Sequence, residues 1–392
     1  MSAADPAHVL IAGGGIAGVE AVLALRDLAG DRVEITVVDP AELFVVRATS
    51  TASAVGGPPV DSRPLDDVVA AAGAARVPGR LAAVDADRRV AMLEGGDLLT
   101  YDHLIVAAGA HPEPHLRGAL TFAGPADGRA FRAMLDRAAG HGGRGQAPRL
   151  VIVVPPGTPW PLVAYELALL SASYLDGRGA RDALDISIVT SEDSALALFG
   201  QQAGAAVGRD LAAAGIALRT GALVRDWRWG RLELVGGEIE RADRVVALPV
   251  PRGPAIDGLS ADAHGFVRVG SDGAAVGAPG VWAVGDASSF PLKQGGIACQ
   301  QADAVAAAIA RSLGAPAEAT PFEPVLRGWV WDGRGGRFLR ADVAGGRDES
   351  EGVTGGASPL WWPPGKVAGR HLAPFLARTG TVTLADAPPA GR

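Results

Sequence analysis

At 392 residues with 48% apolar content, the chain is long enough for two or three domains with buried cores. Its net charge of −7, without a basic run, argues against nucleic acid as a partner, and no apolar run reaches the length of a membrane span. The start, MSAADPAH, lacks the charged-then-apolar pattern of a secretion signal, so a cytoplasmic location is expected; the single cysteine, Cys299, excludes an internal disulfide and a Cys-rich metal site.

The first element is a short apolar strand, Val9 to Ala12. It runs into Gly13-Gly14-Gly15-Ile16-Ala17-Gly18, and a helix with one apolar face follows. Gly13, Gly15 and Gly18 fit G-x-G-x-x-G, and each has its own task. These are a tight turn, an approach of backbone to a pyrophosphate, and close packing of helix on strand. The helix N-terminus adds unpaired N–H groups and a positive dipole end. A second strand, Val33 to Val38, ends at Asp39, where an acid can accept hydrogen bonds from a ribose.

Leu43 to Arg47 and a small-polar stretch, Ala48 to Gly57, come next, then a short helix, Pro64 to Ala72. Arg76 to Asp85 and Arg89 to Leu93 read as strands, with a hairpin turn at Gly95-Gly96-Asp97. Leu104 to Val106 has the continuous apolar character of a parallel strand covered on both faces, and ends in the small-residue turn Ala107 to Ala110. Pro112 and Pro114 mark a crossover to a helix, Gly128 to Ala139, and a flexible joint, 140–146. A second βαβ-like unit follows: strand Leu150 to Val154, helix Trp160 to Tyr174, strand Asp185 to Thr190, helix Gln202 to Ala214. Short strands are expected at 216–218, 223–227 and 232–234, and Arg244 to Leu248 closes the unit at Pro249. Gly280 to Asp286 is another buried strand, ending in Gly285-Asp286. The loop Phe290 to Gly296 leads into an Ala-rich helix, Gly296 to Leu313. Val325 to Val343 alternates like a hairpin turning at 333–336. The stretch 345–358 reads as polar and mobile, and 359–377 carries Trp361, Trp362, Pro363, Pro364 and Lys366.

These segments, in this order, carry a family resemblance over residues 8 to 315. G13GGIAG18, the LIVAAGA turn at 104–110, the second nucleotide-type unit and GVWAVGDAS at 280–288 resemble the two-dinucleotide-domain flavoprotein superfamily (the pyridine nucleotide-disulfide reductase superfamily). It includes disulfide reductases, type II NADH dehydrogenases and sulfide:quinone oxidoreductases. PLKQGGIACQQADA at 291–304, VPPGTPWPLVAYELAL at 154–169 and WWPPGKVAGRHLAPFLA at 361–377 look most like the sulfide:quinone oxidoreductase-like branch of actinobacteria. The resemblance implies an α/β fold with two Rossmann-like dinucleotide-binding domains and a small C-terminal α+β domain. The expected division is 1–113 with 244–322 for FAD, 114–243 for the second unit, and 323–392 as interface or quinone-site cover. It also implies FAD as cofactor. Gly13, Gly15 and Gly18 would hold its pyrophosphate and Asp39 the adenosine ribose; Leu81 would lie near adenine, Gly109 would permit close approach, and Gly285-Asp286 would meet the ribityl chain. Arg47, Lys293, Gln294 and Gly296 complete the expected cofactor set, with the helix at Gly296 aimed at the flavin pyrimidine.

Three absences narrow the chemistry. Arg47 to Ser53, where disulfide reductases place a cysteine pair, holds no sulfur, so a thiol-disulfide relay is excluded. The second glycine turn reads Pro155-Pro156-Gly157-Thr158-Pro159-Trp160, so NADH binding in the usual mode is not expected. Cys299 has no partner cysteine and reads as a small buried apolar residue, which argues against the persulfide route.

Of 36 lysines and arginines, only Lys293 and Lys366 are lysines. Lys293, beside the expected flavin, is a candidate for charge stabilisation or proton delivery; the alternative is a surface lysine. Glu166 sits one turn beyond Leu162, the position where related dehydrogenases carry a flavin-facing glutamate. It is a candidate proton relay or, equally, a salt-bridged or solvent-facing residue. Tyr165 is expected to pack. Trp329, Trp331, Trp361, Trp362 and Phe375 either line a quinone slot or pack the C-terminal part, with a homodimer or a peripheral contact at the inner face of a membrane left open. The expected function is an FAD-dependent oxidoreductase between a small donor and a quinone-like acceptor, with no metal. The alternatives are a non-catalytic FAD-binding sensor or accessory protein, and an NAD(P)H:acceptor oxidoreductase with an altered nucleotide site.

Overall fold

The computed structural model describes residues 5–140, 146–318, 321–343 and 353–379. Two five-stranded parallel sheets dominate it. In the first, the order is Val281–Ala283, His103–Val106, Ala7–Ala12, Val33–Val38 and Ala75–Val77. The central strand is covered on both faces, which is why it is continuously apolar. Side chains alternate across a strand, so Val9 and Ile11 meet the helices Ile16–Ala29 and Gly295–Ser312. Leu10 and Ala12 meet an antiparallel layer that includes Leu81 and Leu93.

The second sheet repeats the plan: Leu120–Thr121, Arg244–Ala247, Arg149–Val154, Asp185–Thr190 and Ala217–Arg219. Leu150, Ile152 and Val154 face the helix Leu162–Asp176; Val151 and Val153 face the meander Val224–Arg241. In both sheets the strand that opens the unit is central and the strand that closes the unit lies beside it; the edge strand beyond is Val281–Ala283, from late in the chain, in the first and Leu120–Thr121, which precedes the unit, in the second.

Three differences from the sequence reading have physical reasons. The expected strand at 76–85 is two strands. Ala75–Val77 joins the parallel sheet and Leu81–Asp85 the antiparallel layer, because Pro78 and Gly79 break the run between them. The helix at Trp160 starts at Leu162, behind Pro161. In the stretch read as mobile, Val353–Gly356 is a strand pairing with Arg337–Asp342, which itself pairs with Val325–Val330; residues 344–352 lie outside the described residues, as do 141–145 of the expected joint. After this hairpin the chain runs as a strap through Trp361–Gly369 to a short helix, Leu372–Arg378. Among the described residues no helix is long and apolar enough to cross a membrane, and no cluster of His, Cys, Asp or Glu is placed to hold a metal.

Candidate active site

The glycine turn at the carboxyl end of the first strand is built by close approach. Gly13 adopts φ +120°, and a Cβ there would lie 2.2 Å from the carbonyl oxygen of Ala107. A Cβ on Gly18 would lie 1.9 Å from the Gly13 oxygen, so helix and strand are pressed together at that point. A Cβ on Gly15 would meet nothing within 4 Å. Two of the three glycines are required by the protein's own packing, and the third borders open space at a helix N-terminus. Asp39 lies beside this turn: its Oδ2 accepts from Gly14 N at 2.6 Å and its Oδ1 from Ala41 N at 2.7 Å.

A second helix N-terminus converges here. Gly285 (φ +61°) is wedged between the two helices, where a Cβ would come within 3.0 Å of Ala17 and 3.2 Å of Ala298. Gln301 Oε1 accepts its N–H at 2.7 Å. The helix begins at Gly295 rather than Gly296, and Gln294 is its N-cap. The Gln294 side chain accepts from Ile297 N at 2.8 Å and donates to Arg327 O at 3.1 Å, so it serves the helix end and the hairpin rather than standing free for a ligand. Asp286 follows; burial pushes its carboxyl up from the ordinary aspartate value, while the charges of Lys293 and then Arg47 pull it back. Lys293 donates to Ser288 O and lies 3.8 Å over the Phe266 ring. Burial lowers its amine to about 8, opposed by Asp286 and Asp262. Open space at Gly15, two converging helix ends and the acids Asp39 and Asp286 fit a dinucleotide with a central pyrophosphate and flanking hydroxyls. Gly109 (φ +71°) lies just past the neighbouring strand, with nothing within 4 Å of a Cβ built on it, and Leu81 is buried under the same sheet edge. Arg47 is exposed on its loop, within electrostatic reach of Asp286.

Next to this cleft lies an apolar cavity of about 530 Å³. Its walls come from three places: Val46, Thr49 and Ala52 from the segment on either side of Arg47; Leu170 and Tyr174 from the long helix of the second unit; and Trp329, Trp331, Pro363, Lys366 and Val367 from the C-terminal part. Val367 joins cleft and cavity, since it would lie 3.2 Å from a Cβ on Gly295. Trp329 stacks on Phe338 at 4.6 Å and meets Trp331 edge-on at 5.2 Å, which makes that wall stiff.

One ionic pair is buried at the cavity wall. Lys366 Nζ donates to Glu166 Oε1 and, at 2.5 Å, to Trp329 O; it also lies 4.1 Å from the Trp331 ring centre. The two side chains are 6% and 2% exposed. Glu166 further accepts from Thr51 Oγ1 at 3.1 Å and from Trp331 N at 2.9 Å. Burial drives the Lys366 amine well down from the ordinary lysine value. Of the readings open for Glu166, a proton relay or a salt-bridged or solvent-facing residue, the residue is salt-bridged and does not face solvent. The sequence reading singled out Lys293 for its rarity and passed over Lys366, the other lysine, which was an equal signal.

The second unit's turn is tied by Thr158 and Trp160, while Gly157 borders open space. Thr158 N and Oγ1 both bond back to Pro155 O, at 3.2 and 2.7 Å. Trp160 packs edge-on against Phe199 at 5.8 Å. Glu192, just past the second strand of the unit, is turned inward: it accepts from Tyr165 OH at 2.8 Å, Thr190 Oγ1 at 3.0 Å and Ala197 N at 3.2 Å. Burial raises both the Glu192 carboxyl and the Tyr165 phenol. Tyr165 packs, as expected, and its hydroxyl also donates to Glu192.

Residues 7–308 match the family Pyridine nucleotide-disulphide oxidoreductase, and the chain belongs to it. It is an FAD-dependent oxidoreductase. Among curated proteins none matches. Among solved structures, the chain is similar to the sulfide:quinone oxidoreductase of the bacterium Aquifex aeolicus (20% identity, 89% of this chain and 86% of that one, TM-score 0.77). It is similar also to a ferredoxin reductase of Rhodopseudomonas palustris (19%, 86% and 82%, TM-score 0.65) and to the NDH2 of Plasmodium falciparum solved with NADH (14%, 72% and 64%, TM-score 0.58).

Proposed function

We propose that this oxidoreductase passes electrons from a small donor other than NAD(P)H to a quinone-like acceptor seated in the cavity beside the Gly295 helix end. The observation that carries the reading is the Lys366–Glu166 pair, a buried proton-holding group in the wall of an otherwise apolar cavity. Aromatic walls suit a flat ring, and a quinone must gain protons as it gains electrons. FAD, when bound, supplies the electron chemistry. Lys366 would present a proton at the cavity wall, Glu166 would hold its amine in place, and Thr51 would orient the Glu166 carboxylate. Arg47 and Lys293 would hold positive charge near Asp286, and the Gly295 helix end would favour negative charge beside it. The tied turn at Pro155–Trp160 and the engaged Glu192 support a donor that is not a nicotinamide.

The test is anaerobic reoxidation of the dithionite-reduced protein by menadione and, separately, by ferricyanide, which takes electrons without protons. Replacing both partners, Lys366→Met with Glu166→Gln, avoids leaving one charge buried alone. The quinone rate should fall about 100-fold or more, the range of general acid–base contributions, while the ferricyanide rate stays near wild type. Equal rates with menadione in both proteins, or an equal fall with both oxidants, would sink the assignment.

A further inference from the structure

The turn that presents Asp39 is held from two sides. On the amide side Asp39 holds itself, since its carboxylate accepts from Gly14 N and Ala41 N. On the carbonyl side the grip comes from Arg76, in the neighbouring strand Ala75–Val77. Arg76 Nη2 donates to Asp39 O at 3.1 Å and to Ala41 O at 2.7 Å, and Nη1 donates to Asp66 Oδ1 at 2.7 Å. Asp66 stands in the first turn of the helix Leu65–Ala72. One guanidinium thus ties together a strand, a turn and a helix. Register brings it there. Arg76 pairs with Val37, which packs in the same core cluster as Leu65, Val68 and Val69. Paired residues of neighbouring strands share a face, so Arg76 leaves the sheet on the side of that helix.

The placement does not serve Arg76 itself. Its side chain is 7% exposed, and its Nε is buried with no hydrogen-bond partner. A buried donor left bare keeps its full desolvation cost. Asp66 offers little in return: its side chain is 73% exposed, and an ion pair facing water is weak. What the guanidinium supplies is geometry, because a rigid planar fork can hold two carbonyls and a carboxylate at once. The two carbonyls it holds belong to Asp39 and to Ala41, whose N–H the Asp39 carboxylate accepts. Each oxygen of that carboxylate accepts one backbone N–H, so capacity for further donors remains.

We propose that Arg76 is a positioning residue for the adenosine end of the dinucleotide: it fixes the Asp39–Ala41 turn, so that the Asp39 carboxylate is set in advance to accept ribose hydroxyls. A group fixed before binding loses less freedom on binding, and the ligand is held correspondingly longer. The inference uses the FAD cleft alone. It involves neither donor nor acceptor, so it stands or falls separately from the acceptor assignment.

The experiment follows flavin release from the full-length holoprotein by fluorescence after dilution, since affinity differences between related complexes lie mainly in the off-rate. The protein carries FAD or, after exchange, an FAD analogue whose adenosine ribose lacks both hydroxyls. Wild type should release the analogue at least about tenfold faster than FAD, the effect of losing a hydrogen bond to a charged group. Arg76→Met should release FAD at least about tenfold faster than wild type, and should then distinguish FAD from the analogue by less than about threefold. Arg76→Lys keeps the buried charge but has one head for three acceptors, so both of its values should fall between. A merely structural role would speed the release of both ligands alike and leave their ratio at the wild-type value. That outcome in Arg76→Met would overturn the proposal, as would unchanged FAD release or a wild type indifferent to the ribose hydroxyls. If Arg76→Met does not fold, Arg76→Lys carries the same test: its ratio should lie below that of wild type, and an unchanged ratio would overturn the assignment.

Discussion

The two parallel sheets share the order of four strands and differ in the fifth, at the edge, and their first turns differ more. At Gly13–Gly18 the glycines that close against backbone are present and the middle position borders open space. At Pro155–Trp160 the only glycine, Gly157 (φ +72°), keeps the turn, while a proline, a threonine and a tryptophan occupy its surroundings. The acids diverge too. Asp39 bonds only to backbone N–H groups and leaves lone pairs for a ligand, whereas Glu192 is held by Tyr165, Thr190 and Ala197. The sheet architecture depends on strand burial, which both units retain. Ligand binding depends on open space and unspent hydrogen-bond capacity at one turn; both turns border open space at a glycine, Gly15 and Gly157, and the acid with lone pairs left over is Asp39, beside the first.

The largest effect should come from breaking the first turn. Gly18→Ala places a methyl against the Gly13 backbone oxygen, which is not the end of a flexible side chain that could yield. It should cost about 2–4 kcal/mol in urea denaturation and abolish FAD retention. Gly15→Ala meets no protein atom within 4 Å, so stability should hold while FAD content drops. If Gly15→Ala unfolded the chain, or Gly18→Ala behaved as wild type, the division between packing and binding glycines would be wrong.

A smaller effect is expected in the second turn. Trp160→Ala removes a half-buried ring from Phe199 and should cost about 2–3 kcal/mol, below the range for a fully buried tryptophan. It should not create a nicotinamide site, because Pro155 lacks an N–H and Glu192 stays engaged. Stopped-flow mixing with NADH should show slow reduction in both wild type and variant; rapid bleaching in wild type would show that the unit still binds the nucleotide.

The smallest effect concerns Glu192. Tyr165→Phe removes one hydrogen bond and should cost about 1 kcal/mol. Because burial raises the Glu192 carboxyl in the folded chain, its contribution is full at pH below the ordinary glutamate value and declines as pH rises through the shifted one. Glu192→Gln should remove that slope from a plot of unfolding free energy against pH; an unaltered slope would place its origin elsewhere.

Much of the fold was legible because its signals are local. The glycine spacing, the apolar runs at Leu10, Leu104 and Leu150, and the Gly285-Asp286 ending each lie within a few residues, and parallel strands must be buried wherever they occur. The departure of the second turn from the glycine pattern was legible for the same reason. The site beyond the cofactor was less so. Glu166 could be marked but not oriented, since helix spacing does not say which face meets a partner arriving from elsewhere in the chain.

By itself the sequence determined the α/β plan, the one intact glycine turn, the lack of a redox cysteine pair and the rarity of lysine. Only the tertiary structure decided that Lys366 meets Glu166 across 200 positions, that Gln294 caps a helix, and that Glu20 fastens the strap through His371 and Leu372. The physical reason is desolvation. A buried charge is tolerable only beside a matching donor or acceptor, and that match is made between segments whose separation along the chain carries no periodic trace.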